Sequence, residues 1–261
     1  MKTRQPSLFI SHGTIYEAFK SEQLKRDFEK LRKKYLTVLP DAIVILSGHW
    51  QTKNIRVTAN STMVQLDEGF PQEFQSNYKT IGNPDLSNRI ISLLNTSGIE
   101  ASIEPKRGLD HGALIPLMLL FPKDNIPVIQ ISQNSSLDPI YHKEMGEVLR
   151  ELRNEHILFI GSGGLVHNTN RIEKFGGHHL IPDHWAKTFD NLVTKELLEK
   201  TFSGHSQKMI DVYKNELFDI SHPTTEHFLP LVFASALGDK PTKIYEGFQW
   251  KNISMSAFMF E

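Results

Sequence analysis

Three short apolar runs, each followed by small residues, most constrain the fold of this chain. They occupy residues 7–10, 42–46 and 157–160. They are continuous rather than alternating, and this pattern is typical of parallel strands that are covered on both faces. Between the first two runs, a single helical stripe follows Ser21, which we expect to be the N-cap. The stripe consists of Leu24, Phe28, Leu31 and Tyr35. This first unit therefore reads β–α–β, with a right-handed crossover and parallel strands.

The rest of the chain continues the same pattern. Further strands are predicted at 55–59, 101–104, 127–132 and 253–260, and helices at 84–94, 113–121, 185–193 and 224–237. Another helix is predicted to begin at Asp138 and Pro139, with Asp138 as N-cap. Segments 62–83 and 175–183 are expected to be irregular. The sequence predicts an α/β fold, a mostly parallel central sheet flanked by helices on both faces, in one domain over residues 1–261.

Composition removes several classes of function. The chain has no cysteine, which excludes disulfides, thiolate nucleophiles and cysteine-based zinc or iron–sulfur sites. Its net charge is −1, so neither a nucleic-acid partner nor a membrane surface is expected. The N-terminal residues lack the apolar segment of a signal peptide, and no apolar run reaches the about 20 residues that span a bilayer. We expect a cytoplasmic protein.

Five histidines share one kind of position. They are His12, His49, His111, His167 and His227, each placed near the end of a predicted strand or the start of a predicted helix. The carboxyl ends of parallel strands, and the helices that follow them, meet at one edge of the sheet, where ligands bind in such folds. Neutral imidazole is the commonest metal ligand, and without thiolates a histidine-rich site suits Fe(II), Zn, Mn or Ni. The sequence predicts a metal site at this edge.

Other candidate sites are weaker. The glycine cluster 161–164 matches neither a dinucleotide-binding loop nor a Walker loop, and we expect it to allow close backbone approach. The nucleophile elbow of serine hydrolases is absent. The remaining histidines share no placement, and surface or capping roles are expected for them: His142, His156, His178, His179, His184, His205 and His222. His178 and His179, in a glycine-rich loop, are alternatives for the rim of the site.

Six motifs together resemble a known family. They are Ser11-His12-Gly13, Leu46-Ser47-Gly48-His49-Trp50, Gly108-Leu109-Asp110-His111-Gly112, Gly161-Ser162-Gly163 with His167-Asn168, Glu226-His227-Phe228-Leu229-Pro230-Leu231, and Gly247-Phe248 with Ser254-Met255. In this order they resemble the class III extradiol ring-cleavage dioxygenases, and within them the 4,5-DOPA dioxygenase-like branch of bacteria and plants. The resemblance covers nearly the whole chain.

The resemblance implies a function and a set of site residues. It implies an enzyme that opens the ring of a DOPA-like catechol with O2, using Fe(II), with Zn(II) as the alternative metal. Its metal-binding histidines fall on His12, His49 and His227. His167 would be a further metal ligand, the catalytic acid/base, or both, and His111 would line the substrate pocket as a second catalytic residue. Glu226 stays an alternative third ligand, because relatives elsewhere in the superfamily use a carboxylate there.

Some residues depart from the family pattern, and some alternatives stay open. Thr14-Ile15 stand where Ser-Pro is frequent, Ala113-Leu114 where an aromatic residue is frequent, and Lys251 where glycine is common. These positions are expected to shape the pocket and hence the choice of substrate. A zinc hydrolase on the same histidines and a non-catalytic metal-binding protein are the rival functions. The expected partners are a small aromatic diol and O2, and a homo-oligomer is left open.

Overall fold

The computed structural model describes residues 4–66, 72–172, 181–199 and 204–261. Its strands are β1 (Ser7–Ser11), β2 (Ala42–Thr52), β3 (Ile55–Thr58), β4 (Thr62–Val64), β5 (Lys79–Ile81), β6 (Ala101–Glu104), β7 (Val128–Asn134), β8 (Ile157–Gly163), β9 (Pro241–Tyr245), β10 (Phe248–Gln249), β11 (Ile253–Ser254) and β12 (Ala257–Phe260). Its helices are α1 (Ile15–Lys20), α2 (Glu22–Tyr35), α3 (Pro84–Thr96), α4 (His111–Leu120), α5 (Pro139–Leu149), α6 (His184–Leu198), α7 (His205–Asp211), α8 (Phe218–Ser221) and α9 (Leu229–Leu237).

The main sheet has a parallel centre. Its strand order is β6-β3-β7-β2-β8-β1-β12-β9. The neighbours β7, β2, β8 and β1 are parallel, whereas β12 is antiparallel to β1 and β3 is antiparallel to β7. The four parallel strands therefore bring their carboxyl ends to one edge of the sheet. The predicted α/β fold with a mostly parallel sheet is confirmed.

Helices cover both faces of the sheet, which explains why the central strands are apolar at successive positions. In β2, Ile43 and Ile45 pack into the core shared with α2 and α4. The alternate residues, Val44 and Leu46, pack into the core shared with α3, α5 and α9. A third core joins α6 and α7 to β1 and β12, around Phe9. Successive side chains of a strand point to opposite faces, so each face needs its own apolar set.

Capping residues set the helix starts that the sequence predicts. The Ser21 side chain accepts a hydrogen bond from the backbone N–H of Leu24 at the start of α2. Asp138 caps α5 in the same way, with Pro139 in the first turn. Asp110 caps α4 through the N–H of Ala113, and His111 is the first helical residue. The rest of α4 is apolar and almost wholly buried. No helix in the described ranges is long and apolar enough to cross a membrane.

Four sequence predictions are wrong in detail. The strand predicted over 253–260 is divided into β11 and β12, which belong to different sheets. Strand β2 continues to Thr52 with a register irregularity between Leu46 and Gln51, so His49 lies within the strand rather than beyond it. The helix predicted over 224–237 begins at Leu229, which leaves His227 in the preceding turn. Segment 62–83 is not wholly irregular, because β4 and β5 pair there as an antiparallel ribbon. Hydrophobic periodicity alone does not fix such boundaries.

Candidate metal centre

The five histidines meet at the carboxyl edge of the parallel strands. His12 directly follows β1, His49 lies in β2, His111 begins α4, His167 follows β8, and His227 precedes α9. Between neighbouring rings the centroids lie 3.5 to 5.9 Å apart. We refer to these five residues as the histidine cluster. The convergence that the strand-end argument predicts is present in the fold, although β8 separates β1 from β2 in the sheet.

Three ring nitrogens form the centre of the cluster. The Nε2 atom of His49 lies 3.2 Å from Nε2 of His12 and 3.1 Å from Nε2 of His227. His12 and His227 are almost fully buried, with 2% and 3% of their surface exposed, and His49 is partly exposed. Three nitrogens that could each offer a lone pair thus share one small volume at the end of the sheet.

The hydrogen bond behind the His12 ring assigns its tautomer. Its Nδ1 atom lies 3.0 Å from Oγ of Ser162. The single hydroxyl hydrogen of Ser162 is donated to the backbone carbonyl of Gly112, which can only accept. The hydroxyl oxygen therefore accepts from N–H at Nδ1 of His12. Nε2 of His12 is left unprotonated and faces the centre of the cluster.

A hydrogen bond to Glu226 assigns the tautomer of the His227 ring. Nδ1 of His227 lies 3.0 Å from Oε1 of Glu226, and that oxygen also accepts from the Thr224 hydroxyl at 2.8 Å. An ionised carboxylate only accepts, so Nδ1 carries the proton and Nε2 of His227 carries a lone pair. The carboxylate contacts the His227 ring at Nδ1, whereas Nε2 of that ring faces the centre of the cluster. A carboxylate behind a ligand histidine is a common arrangement in metal sites.

This donor set fits a divalent metal ion. Nitrogens about 2.1 Å from one ion, at angles of about 90 to 109°, are about 3.0 to 3.4 Å apart, and the observed separations are 3.1 and 3.2 Å. The lone pairs of His12 and His227 both face Nε2 of His49, whose single hydrogen could satisfy only one of them. A cation at the centre would satisfy all three nitrogens at once.

Burial keeps these rings neutral. It lowers the pKa of His12 and of His227 well below the usual value, and neighbouring histidines lower both further. Burial also lowers the pKa of His49 to about 3, with His111 adding to the effect. Burial also lowers the pKa of His167. Neutral imidazole is the form that binds metals.

His111 and His167 each lie against the ring of a different histidine of the centre. The His111 ring lies 3.8 Å from the His49 ring, between centroids. The His167 ring stacks on the His227 ring at 3.5 Å, with an angle of 9° between the planes. In the described ranges, two sets of ligand atoms lie mutually within 4.8 Å: His12, His49 and His111, and His167, Glu226 and His227. Nε2 of His49, in the first set, lies 3.1 Å from Nε2 of His227, in the second set. We therefore regard the two sets as parts of one centre.

Asp110 is a structural residue of the site that the sequence reasoning missed. Its carboxylate is fully buried and accepts from the Ser47 hydroxyl at 2.8 Å and from the N–H of Ala113 at 2.9 Å. The Gln130 amide also donates to it. Ser47 in turn accepts from the backbone N–H of His49 at 3.1 Å. Asp110 thus ties the start of α4 to the strand that carries His49. An Asp shortly before the apolar run of α4, which is an N-cap pattern, is the signal that could have indicated it.

The glycines of β8 allow the close approach that the sequence predicts. A Cβ at Gly161 would collide with the carbonyl of Pro230, and one at Gly163 with the carbonyl of His227. The turn that holds His227 and the first turn of α9 therefore lie directly on β8. Residues 161–163 belong to the strand rather than to a loop, and the expected close backbone approach is made by the carbonyls of Pro230 and His227.

The remaining histidines are not all on the surface. A surface role is wrong for His142 and His222, which are 0% and 2% exposed. Nδ1 of His142 bonds the carbonyl of Asp138 at 2.7 Å, and Nε2 of His222 bonds the carbonyl of Leu165 at 3.0 Å. His184 is exposed at the start of α6. His178 and His179, the alternatives for the rim, lie outside the described residues.

Two departures from the family pattern have conformational explanations. Thr14 is the N-cap of α1, a role that serine also performs, and Ile15 takes the first helical position, where proline is favoured. Lys251 has φ of 68°, in the left-handed region, where glycine is the usual residue. Ala113 is fully buried in the core beneath the sheet, so any effect on the pocket would act through packing. The prediction that these positions select the substrate stays a prediction.

Comparison with known proteins identifies the family. The family model described as the catalytic LigB subunit of aromatic ring-opening dioxygenase matches residues 6–261. The chain belongs to this family. It is 36% identical over 245 residues to a 4,5-DOPA dioxygenase extradiol of Beta vulgaris, covering 91% of this chain and 88% of the relative. It is 32% identical over 262 residues to a protein of the same name from Escherichia coli K12, covering 97% of this chain and 93% of the relative.

A solved structure has the same fold. The crystal structure of an uncharacterized protein from Escherichia coli K12 superposes with a TM-score of 0.82 at 30% sequence identity. The superposition covers 99% of this chain and 100% of the other. The resemblance to class III extradiol dioxygenases, in the 4,5-DOPA dioxygenase-like branch, is confirmed, and so is the prediction of an aromatic ring-opening dioxygenase.

Proposed function

We propose that this family member uses Fe(II) to open the ring of a DOPA-like catechol with O2. The observation that carries the proposal is that the Nε2 atoms of His12 and His227 lie 3.2 and 3.1 Å from Nε2 of His49. Relatives named 4,5-DOPA dioxygenase extradiol support the choice of substrate class. The family match supports an aromatic substrate in general.

His12, His49 and His227 are the proposed metal ligands. When bound, Fe(II) would supply the redox chemistry that the reaction of a diol with O2 requires. Zn(II) would fit the same nitrogens, but it has no redox chemistry. Glu226 is proposed to orient His227 rather than to bind the metal, because its carboxylate bonds Nδ1 on the far side of that ring.

His167 is proposed as the acid/base. A cation on the lone pair of His227 lies in the plane of that ring, and the His167 plane is stacked parallel to it at 3.5 Å. In this arrangement the lone pairs of His167 do not point at such a cation, which favours proton transfer over ligation. Because burial lowers its pKa, His167 is neutral near pH 7. It can accept a proton from a diol hydroxyl and return it later in the reaction.

His111 is proposed to line the substrate pocket. It is partly exposed, and its ring lies 3.8 Å from the His49 ring, between centroids. Its backbone is held at the first position of α4 by the Asp110 cap. A ring fixed in this way can hydrogen-bond a diol oxygen and position the substrate for His167. A homo-oligomer and a cytoplasmic location remain predictions.

Oxygen uptake tests the proposal. Metal-free protein would be loaded anaerobically with Fe(II), then mixed with O2 and a panel of catechols that includes DOPA. We expect one O2 consumed per diol and a yellow ring-opened product. Zn(II)-loaded protein is the control and should consume no O2. Hydrolytic activity of the zinc form, with no O2 uptake by the iron form on any diol, would instead support the zinc hydrolase. The absence of both activities would support a non-catalytic metal-binding protein.

The role of His167 needs its own variant. We expect His167→Gln to keep stoichiometric iron and to lower the turnover number by about 100-fold or more, within the range for a lost acid/base. Iron content and turnover would be measured on the same sample. Loss of iron in parallel with turnover would show that His167 is a ligand as well.

A further inference from the structure

The carbonyl of Gly112 lacks its ordinary helical partner. In an α-helix each carbonyl accepts the N–H of the residue four positions later. For Gly112 that residue is Pro116, which lies inside α4 and has no N–H. Gly112 and Pro116 are both buried. A buried carbonyl without a partner is costly, so this one requires a donor from outside the helix.

Ser162 supplies that donor. It lies in β8, is fully buried, and donates its hydroxyl hydrogen to the Gly112 carbonyl. A hydroxyl has one hydrogen, so the oxygen is left to accept from Nδ1 of His12 at 3.0 Å. The proton on His12 is thereby directed to Nδ1. The chain of contacts runs from Pro116 through Gly112 and Ser162 to His12.

We propose that Pro116 and Ser162 are positioning residues that together hold His12 as the Nδ1–H tautomer, so that Nε2 presents its lone pair to the metal. The role toward the metal rests on the proposed function, whereas the tautomer itself does not. With an N–H at position 116, the Gly112 carbonyl could be satisfied within the helix. Ser162 would then be free to donate to Nδ1, and His12 would carry its proton on Nε2, where it blocks metal binding.

Nitrogen NMR of the metal-free protein tests the tautomer directly. Ring nitrogens with and without hydrogen have well-separated ¹⁵N shifts, and His12→Gln assigns the His12 signals. We expect wild type to show protonated Nδ1, and both Pro116→Ala and Ser162→Ala to populate the Nε2–H form. Ser162→Thr keeps the hydroxyl and should restore the wild-type pattern. An unchanged His12 tautomer in both alanine variants would overturn the proposal.

Matched controls separate positioning from general packing. Ser7→Ala removes a buried hydroxyl that bonds the carbonyl of Ala234 at the opposite end of β1. Pro139→Ala removes a proline from the first turn of α5, where no N–H is needed. Both controls should keep the wild-type His12 signals. A shift of the tautomer in either control would contradict a specific role for Pro116 and Ser162.

Metal titration gives a second readout. We expect Ser162→Ala to weaken Fe(II) or Zn(II) binding by about 10- to 100-fold, as for other residues that orient a ligand. Pro116→Ala should act in the same direction, and Ser162→Thr should recover most of the affinity. If the wild-type protein binds no metal but His12 still carries its proton on Nδ1, the proposed function is wrong. The role of Pro116 and Ser162 in fixing the His12 tautomer is then still supported. Wild-type affinity in both alanine variants would refute the role toward the metal.

Discussion

The Nε2 atoms of His49 and His227 lie 3.1 Å apart, although 178 positions separate the two residues in the chain. Gly48 makes this approach feasible, because a Cβ there would lie 3.2 Å from Cδ2 of His227. The turn before α9 therefore rests directly on β2. With Nε2 of His12 at 3.2 Å from His49, His49 is the residue that joins the other two proposed ligands.

Removing the His49 ring should abolish tight metal binding. We expect His49→Ala to retain less than about a tenth of the metal bound by wild type at equal free metal, because only two of the three proposed ligand nitrogens remain. Metal content after equilibrium dialysis measures the effect. His184→Ala, at an exposed position on α6, is the control and should bind like wild type. Stoichiometric, tight metal in His49→Ala would contradict the assignment of His49.

Glu226 should affect metal affinity less than His227. Its Oε1 accepts from Nδ1 of His227, so Glu226→Gln weakens the orientation of that ring and should cost about 10- to 100-fold in affinity. His227→Ala removes a proposed ligand and should cost more. Titration of both variants checks the order, with Glu216→Gln, an exposed glutamate, as control. The reverse order would make Glu226 the ligand.

Position 112 should tolerate no side chain. A Cβ there would collide with Oγ of Ser47 and lie 2.9 Å from Cδ2 of His49 and 3.3 Å from Cε1 of His12. Helix propensity alone favours alanine over glycine by about 1 kcal/mol. We nevertheless expect Gly112→Ala to destabilise the fold by about 1 to 3 kcal/mol through overpacking, and to weaken metal binding.

Urea unfolding and metal titration check the effect of Gly112→Ala. Gly247→Ala is the matched control, because its added Cβ would meet nothing closer than 3.8 Å. It should stay within about 0.5 kcal/mol of wild type, as substitutions away from packed features do. A Gly112→Ala variant that is as stable as wild type and binds metal equally well would refute the close packing of α4 on the two rings.

His142 should make stability depend on pH away from the metal centre. Burial lowers its pKa from 6.5 to about 4, and the hydrogen bond to the Asp138 carbonyl opposes this only in part. Nδ1 donates to that carbonyl, and Nε2 accepts the N–H of Asn134. The folded state therefore binds fewer protons than the unfolded state between these values. The stability that His142 contributes is present above pH 6.5, falls as pH drops toward 4, and changes no further below 4.

The expected loss from His142 is about 3 kcal/mol at most, at 1.36 kcal/mol for each pKa unit. Urea unfolding of metal-free protein between pH 7.5 and 4 measures it. Other buried histidines, His222 among them, add to the slope in wild type, so the comparison is with His142→Gln, whose slope should be smaller. His184→Gln should keep the wild-type slope. Equal slopes in wild type and His142→Gln would be incompatible with a neutral, buried His142.

The sheet and the meeting of the histidines were predictable because they follow from local patterns. Continuous apolar runs identified β1, β2 and β8, and parallel strands bring their carboxyl ends to one edge whatever the details of the loops. Caps such as Ser21 and Asp138 act on the nearest helical turn, so they too can be read locally. These local features are sufficient to predict that His12 and His49 lie at the same edge of the sheet.

The sequence predictions that were wrong concern features that depend on contacts between distant parts of the chain. Strand β2 continues through His49 because β7 pairs with Gln51 and Thr52, a pairing that no local pattern encodes. The start of α9 at Leu229 is set where the preceding turn packs on the β8 glycines. The roles of Asp110 and Ser162 likewise come from partners 63 and 50 positions away. Such long-range hydrogen bonds become visible only in the folded chain.

The most direct test of the central claim is an anomalous diffraction map of crystals of the protein loaded with Fe(II). We predict a single strong iron peak about 2.1 Å from the Nε2 atoms of His12, His49 and His227. The Glu226 carboxylate should stay on Nδ1 of His227 and outside bonding distance of the peak. An iron peak elsewhere in the chain, or one that lacks any of the three Nε2 atoms, would contradict the account.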